Sequence, residues 1–143
     1  MAARTVWAMA CLVLLAGCTA AGRSVVAEVD AAGWSDPVEL ILPNDDTLGC
    51  YDWQLFVRCD DRFAAQEFTL RLTVLTPDSL RFEEPFAVRV PATAAPAAVM
   101  REIAVEYRRR VQLGRTGNYR IRIRPQQPLR GVEAVGIQCV KSN

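Results

Sequence analysis

"CYDWQLFVRC", Cys50 to Cys59, sets apolar Tyr51, Trp53, Leu55 and Val57 against polar Asp52, Gln54 and Arg58. Successive side chains of a strand point to opposite faces, so apolar residues at every second position put one face in a core and the other in water. An amphipathic helix would instead repeat its apolar residues at three and four. The stretch reads as an inner β-strand, and the same period extends in both directions from it. Upstream lie "SVVAEVD" (24–30) and "PVELIL" (37–42). Downstream come Phe68, Leu70, Leu72 and Val74; Phe86, Val88 and Val90; and Ile103, Val105, Tyr107, Val111 and Leu113, broken only by Arg109. Tyr119, Ile121 and Ile123 follow, then Val135, Ile137 and Cys139.

Between these runs stand "PNDDTLG", "DDRF", "TPDS", "GRTGN" and "PQQPLRG", rich in the residues that make turns. About eight short strands joined by polar turns predict an all-β fold, an antiparallel β-sandwich or jelly-roll. "PATAAPAAVM" (91–100) is the least strand-like stretch, and its two prolines point to a long crossover or flap. A helix starting near Ala97 is the alternative, although the alternation beyond Ile103 argues against its continuing.

The amino terminus has a different chemistry. Arg4, an apolar run from Val6 to Leu15, and small residues before Cys18 are the layout of a cleaved signal peptide. As a helix that run would cover about 15 Å, roughly half of a ~30 Å hydrocarbon core, so it is too short for a permanent span. Leu15-Ala16-Gly17-Cys18 resembles a bacterial lipobox, in which the cysteine thiol receives a diacylglyceryl group and the new amine is acylated, as with palmitate. Two or three acyl chains anchor stably where one holds marginally. The expected organisation is a signal peptide over 1–17, a lipidated tether over 18–23, and one β-sandwich domain over 24–143. An ordinary signal cleaved near Ala16 or Ala20, with Cys18 incidental, is the bland alternative.

Without residues 1–17 the chain keeps 126 residues, with 16 basic and 16 acidic side chains. That is the size of one domain, and its neutrality argues against a general nucleic-acid binder. The chain has no histidine, which removes the commonest general base and the commonest zinc ligand. None of the four serines sits in a nucleophile elbow. The doublets Asp45-Asp46, Asp60-Asp61 and Glu83-Glu84 lack the alternate spacing of a calcium loop and read as solvated turn or strand-end charges. No enzymatic activity, cofactor or metal is expected. A hydrolase is the weakest reading, since no carboxylate pair is marked out.

Cys50, Cys59 and Cys139 remain after signal removal and acylation of Cys18. Nine residues of strand separate Cys50 from Cys59 by about 30 Å, far beyond the ~7 Å between Cα atoms that a disulfide allows. Cys59 and Cys139 can pair if their strands end side by side; otherwise they are buried thiols acting as small hydrophobes. Tyr51 and Trp53 share the apolar face and belong to a core, whereas Trp34 is freer and would be the anchor of a sugar-stacking surface in a glycan-binding lipoprotein.

"TGNYRIRIRPQQPLRGVEAVGIQC" (116–139) is similar to the carboxy-terminal signature of the gliding-motility lipoprotein H family (GldH) of Bacteroidetes. Gly117 and Tyr119 match its G-x-Y, and Leu129, Gly131, Val132, Val135 and Gly136 its L-x-G-[IV]-x-x-V-G. Trp34, Tyr51, Leu55, Val57 and Arg58 also resemble the family, while the segment between about Arg81 and Val99 does not match its Gly/Trp-containing counterpart. The resemblance implies a non-catalytic envelope lipoprotein, lipid-anchored at Cys18, acting as an assembly or scaffold component with protein partners in the gliding and secretion machinery. "TAAGR" (19–23) carries no acidic export cluster, which favours an outer-membrane position facing the periplasm.

The arginines are a candidate surface for such a partner or for anionic lipid; the alternatives are an internal acceptor among Glu102, Glu106 and Glu133, or a solvated face screened by salt. With Tyr119, Ile121 and Ile123 inward, Arg120, Arg122 and Arg124 point outward together. A hairpin through "GRTGN" would bring Arg110 near Arg122 and Arg108 near Arg124, a cluster of five like charges that asks for an acceptor.

Overall fold

The computed structural model describes residues 22–91 and 100–143. The signal peptide, Cys18 and nearly all of the 91–100 stretch lie outside the described residues. The strands are β1 (Gly22–Glu28), β2 (Val38–Asn44), β3 (Cys50–Cys59), β4 (Glu67–Leu75), β5 (Arg81–Arg89), β6 (Arg101–Gln112), β7 (Gly117–Pro125) and β8 (Val132–Lys141). Strand β1 begins inside the stretch expected to be tether, because Gly22 and Arg23 pair with Val140 and Cys139 of β8.

The strands form two four-stranded antiparallel sheets, ordered β1-β8-β3-β6 and β2-β7-β4-β5. Only β4 and β5 are neighbours both in sequence and in a sheet; every other connection crosses from one sheet to the other. This is the jelly-roll order, a double-sheet solution that folds two Greek keys over one core. From the first sheet come Trp53, Leu55, Val57, Val135 and Ile137, and from the second Leu40, Leu42, Leu70, Leu72, Ile121 and Ile123, all buried. Each such side chain contributes about 1.5 to 3 kcal/mol by leaving water.

Trp34, Tyr119, Leu129, Gly131 and Gly136 hold this frame. Trp34 and Leu129 form an isolated bridge, exchanging backbone hydrogen bonds of 2.8 and 2.9 Å. Gly131 has φ +82°, and a Cβ there would lie 2.3 Å from the Phe63 backbone nitrogen. Gly136 lets the Phe56 ring lie against β8 where a Cβ would meet it at 2.3 Å. Buried Tyr119 closes the β6–β7 connection, its hydroxyl bonded to the backbone N–H and carbonyl of Arg115 at 3.2 Å.

Because β6 and β7 belong to different sheets, "GRTGN" is a crossover and not a hairpin. Strand β6 pairs with β3, and β7 lies between β2 and β4. The tryptophan expectation is also corrected: Trp34 is 2% exposed, with its indole Nε1–H donating to the Asp36 carbonyl at 2.7 Å. The bridge to Leu129 pulls it under the sandwich, so it offers no face to a sugar. Cys59 and Cys139 are both buried and free. Cys139 lies opposite Trp53, and Cys59 is six residues further along β3, about 20 Å away.

Candidate functional site

Two surfaces stand out: a cleft between β5 and β6, and the outer face of the second sheet. At the β1/β2 side the sheets are joined, with the Arg23 guanidinium donating to the Pro43 carbonyl and, at 3.4 Å, to Asn44 Oδ1. At the β5/β6 side they splay. A cleft of about 840 Å³ opens there, with Trp53, Leu72, Val111, Leu113 and Tyr119 in its lining. Its volume falls within the roughly 300–1,000 Å³ of small-molecule sites.

Alternation along β5 directs Phe82, Glu84, Phe86 and Val88 toward the core side. Val88 is buried, but Phe82 hangs over the cleft 61% exposed, because the opposite sheet has moved away. Glu84, the acid in this apolar row, acts as a clasp. It accepts a hydrogen bond of 2.5 Å from the Tyr107 hydroxyl and two, of 2.6 and 2.5 Å, from the Arg108 guanidinium. Beside them the Phe86 and Tyr107 rings meet edge to face, centroids 5.1 Å apart. The Tyr107 hydroxyl holds the Glu84 carboxyl below its ordinary range, with the Arg108 guanidinium adding to the effect. Burial, then the Glu84 partner, pushes the Tyr107 hydroxyl up to about 12. The row Phe82-x-Glu84-x-Phe86 is the signal in the sequence that an acid faces inward.

The other acidic doublets each have one member built into a loop. Asp46 accepts from the Gly49 and Leu48 N–H groups and from the Tyr51 hydroxyl, which depress its pKa in the order Gly49, Tyr51, Leu48. Asp60 is held by Arg62, whose side chain is the main cause of its lowered pKa. Among the described residues no group of three His, Cys, Asp or Glu side chains is gathered as a metal site.

The five arginines singled out from the sequence are divided. Arg120, Arg122 and Arg124 lie in a row on the outer face of β7, as alternation requires. Arg108 is turned to Glu84 across the cleft, and Arg110 sits on the other sheet's edge. There the β3–β6 ladder is irregular on both sides of Trp53, and Arg110 adopts φ +52° with its N–H donating to Asp52 Oδ1 at 2.8 Å. The break at Arg109 was the trace of this irregularity. What the sequence did not reveal is that β4 and β5 add Arg71, Arg81 and Arg89 to the β7 row. Among the described residues this outer face carries six arginines against Glu39, Glu67 and Glu83. Glu39 is shared by Arg120 and Arg122 at 3.9 and 3.6 Å, and Glu83 by Arg71 and Arg81 at 2.9 and 2.7 Å. Arg124 lies opposite Arg71, with no acidic side chain within ion-pair distance among the described residues.

No family model matches the chain, and no curated protein matches it in sequence. Among solved structures, an arabinose-bound α-L-arabinofuranosidase aligns over 85% of this chain and 23% of its own at 11% identity, TM-score 0.37. The VP2 subviral particle of infectious bursal disease virus aligns over 84% and 33% at 8% identity, TM-score 0.39. Eiger TNF from S. frugiperda aligns over 85% and 93% at 10% identity, TM-score 0.38. The chain thus spans about a quarter to a third of the first two. At this level of similarity none of them bears on what the chain does.

Proposed function

We propose that the chain is a non-catalytic envelope lipoprotein, anchored through Cys18 to the periplasmic side of the outer membrane, that serves as an assembly or scaffold component of the gliding and secretion type. The lipobox-like Leu15–Cys18 and the carboxy-terminal resemblance support the class. The observation that carries an assembly role is the excess of three positive charges on one sheet face of a chain whose residues 18–143 are neutral in total. Like charges in register cost about 0.2 to 1 kcal/mol per pair, so the Arg71/Arg124 pair is better accounted for by an acidic partner surface than by stability. Such a face steers a partner of opposite charge and fixes its orientation.

Arg124→Glu tests this cleanly, since it places an acid opposite Arg71. Stability should hold or rise by up to about 1 kcal/mol, while co-purification of envelope proteins from membranes should fall and lose its salt dependence. Unchanged co-purification by the variant would remove the face from the proposal. A second reading, a ligand-binding envelope lipoprotein, is favoured by the apolar-floored cleft between β5 and β6; retention of a ligand that is lost with Trp53 or Tyr119 substitutions would support it.

A further inference from the structure

We infer that the end of the sandwich where β1 begins is a lipid-docking surface, with Leu48 as its leading contact. The inference rests on the proposed anchor at Cys18 and adds to it the face the domain turns to the bilayer.

Three loops meet the start of β1 at this end: 45–49, 76–80 and 113–116. They are bound to one another. Asn44 Nδ2 donates to the Leu113 and Arg115 carbonyls at 3.2 and 2.9 Å, and Gln112 Nε2 to the Thr47 carbonyl at 2.9 Å. Arg115 and Asp78 pair at 3.4 Å. On this fixed platform Leu48 is 84% exposed, the most exposed of the large apolar side chains described. Its position is not slack, because Asp46 Oδ1 accepts its backbone N–H at 3.1 Å and that of Gly49 at 2.8 Å. Leu80, 55% exposed, is held similarly, its N–H donating to Thr76 Oγ1 at 2.9 Å. Val140, opposite Gly22, and Phe82 are exposed at the same end. A soluble surface has little reason to order loops around outward leucines, whereas side chains of this kind enter a headgroup layer.

The length of chain between anchor and domain selects the occupant. Cys18 and Gly22 are four Cα steps apart, at most about 14 Å. The headgroup region is itself roughly 5 to 7 Å deep on each side. A domain tethered so closely cannot hold this end away from the bilayer, while the opposite end, at Cys59 and Arg101, is a strand length of about 30 Å further on. Arg23 and Lys141 stand at the same end, but Asp45, Asp46 and Asp78 offset them and Arg115, so the exposed apolar side chains and not net charge carry the contact.

The test uses the full chain, expressed with its own leader, extracted in detergent and reconstituted into vesicles of phosphatidylethanolamine and phosphatidylglycerol with brominated acyl chains. The emission that Leu48→Trp adds to that of the parent chain, whose domain carries buried Trp34 and Trp53, should lie at short wavelength and be mostly lost to bromine quenching. Met100→Trp, at the opposite end and also exposed, should keep its emission. Equal quenching of the two variants, or none at Leu48→Trp, overturns the docking surface. Intact mass reads the anchor separately. An acylated Cys18 with an unquenched Leu48→Trp ends the docking surface alone, and an unmodified Cys18 with a quenched Leu48→Trp sustains the docking surface while ending the anchor.

Discussion

The clasp at the open edge of the sandwich makes Tyr107→Phe an informative perturbation. The substitution removes one oxygen and leaves the ring, so the edge-to-face pair with Phe86 at 5.1 Å and the packing of β6 survive. What is lost is the hydroxyl's hydrogen bond to Glu84, 2.5 Å long, with the carboxylate as acceptor. Bonds to charged groups contribute about 1.5 to 3 kcal/mol when shielded. The Glu84 side chain is 36% exposed and retains Arg108, so water and the guanidinium recover part of the loss, leaving about 1 to 1.5 kcal/mol. For a domain of this size that corresponds to roughly 3 to 6 °C in Tm. Urea unfolding of both proteins at pH 7 measures it. The sign of the pH dependence follows from the depressed Glu84 pKa: the charge-assisted bond is fully present above the ordinary carboxylate value of 4.5 and fades as pH falls through the lower folded value. A neutral acid makes a bond about half as strong, so the difference between the two proteins should shrink by about half once the pH is below that folded value. A variant within about 0.3 kcal/mol of wild type at pH 7 would show that apolar packing alone holds this edge, and a deficit that does not shrink in acid would show that the bond does not depend on the Glu84 charge.

Two further outcomes are expected. Gly131→Ala forces a side chain onto φ +82° and against the Phe63 and Arg62 backbone, which cannot rotate aside, so thermal unfolding should reveal a loss of about 3 to 4 kcal/mol; Gly33→Ala, with nothing within 4 Å of the added carbon, should stay within about 0.5 kcal/mol. In the native protein a thiol reagent should label Cys50, with Cys59 and Cys139 reacting only after unfolding. Burial pushes both of those thiols up to about 11 from an ordinary 9.0, so their contribution is complete below pH 9 and lost between 9 and 11, about 2 to 3 kcal/mol each on an alkaline stability titration.

Local alternation was enough to predict the class and the strands. Each period-two run, from Tyr51-Trp53-Leu55-Val57 to Val135-Ile137-Cys139, became a strand with the expected face buried, because strand geometry forces successive side chains to opposite sides. The outward set Arg120, Arg122 and Arg124 was legible for the same reason. Alternation says which side of a strand is wet, and nothing of which strand lies beside it. That pairing is decided by how eight half-apolar ribbons close over one core, a nonlocal balance no single segment encodes. Hence the β6–β7 connection became a crossover, Arg108 went to Glu84, and Arg71, Arg81 and Arg89 joined the arginine row from strands distant in sequence. Trp34 was buried by a bridge to Leu129, ninety-five positions away, and two ends of the fold acquired different chemistry only when the loops 45–49, 76–80 and 113–116 converged beside the start of β1. Sequence determines which residues seek the core, and tertiary structure decides which of the remainder stand together, because charge and shape on a surface are properties of neighbours in space.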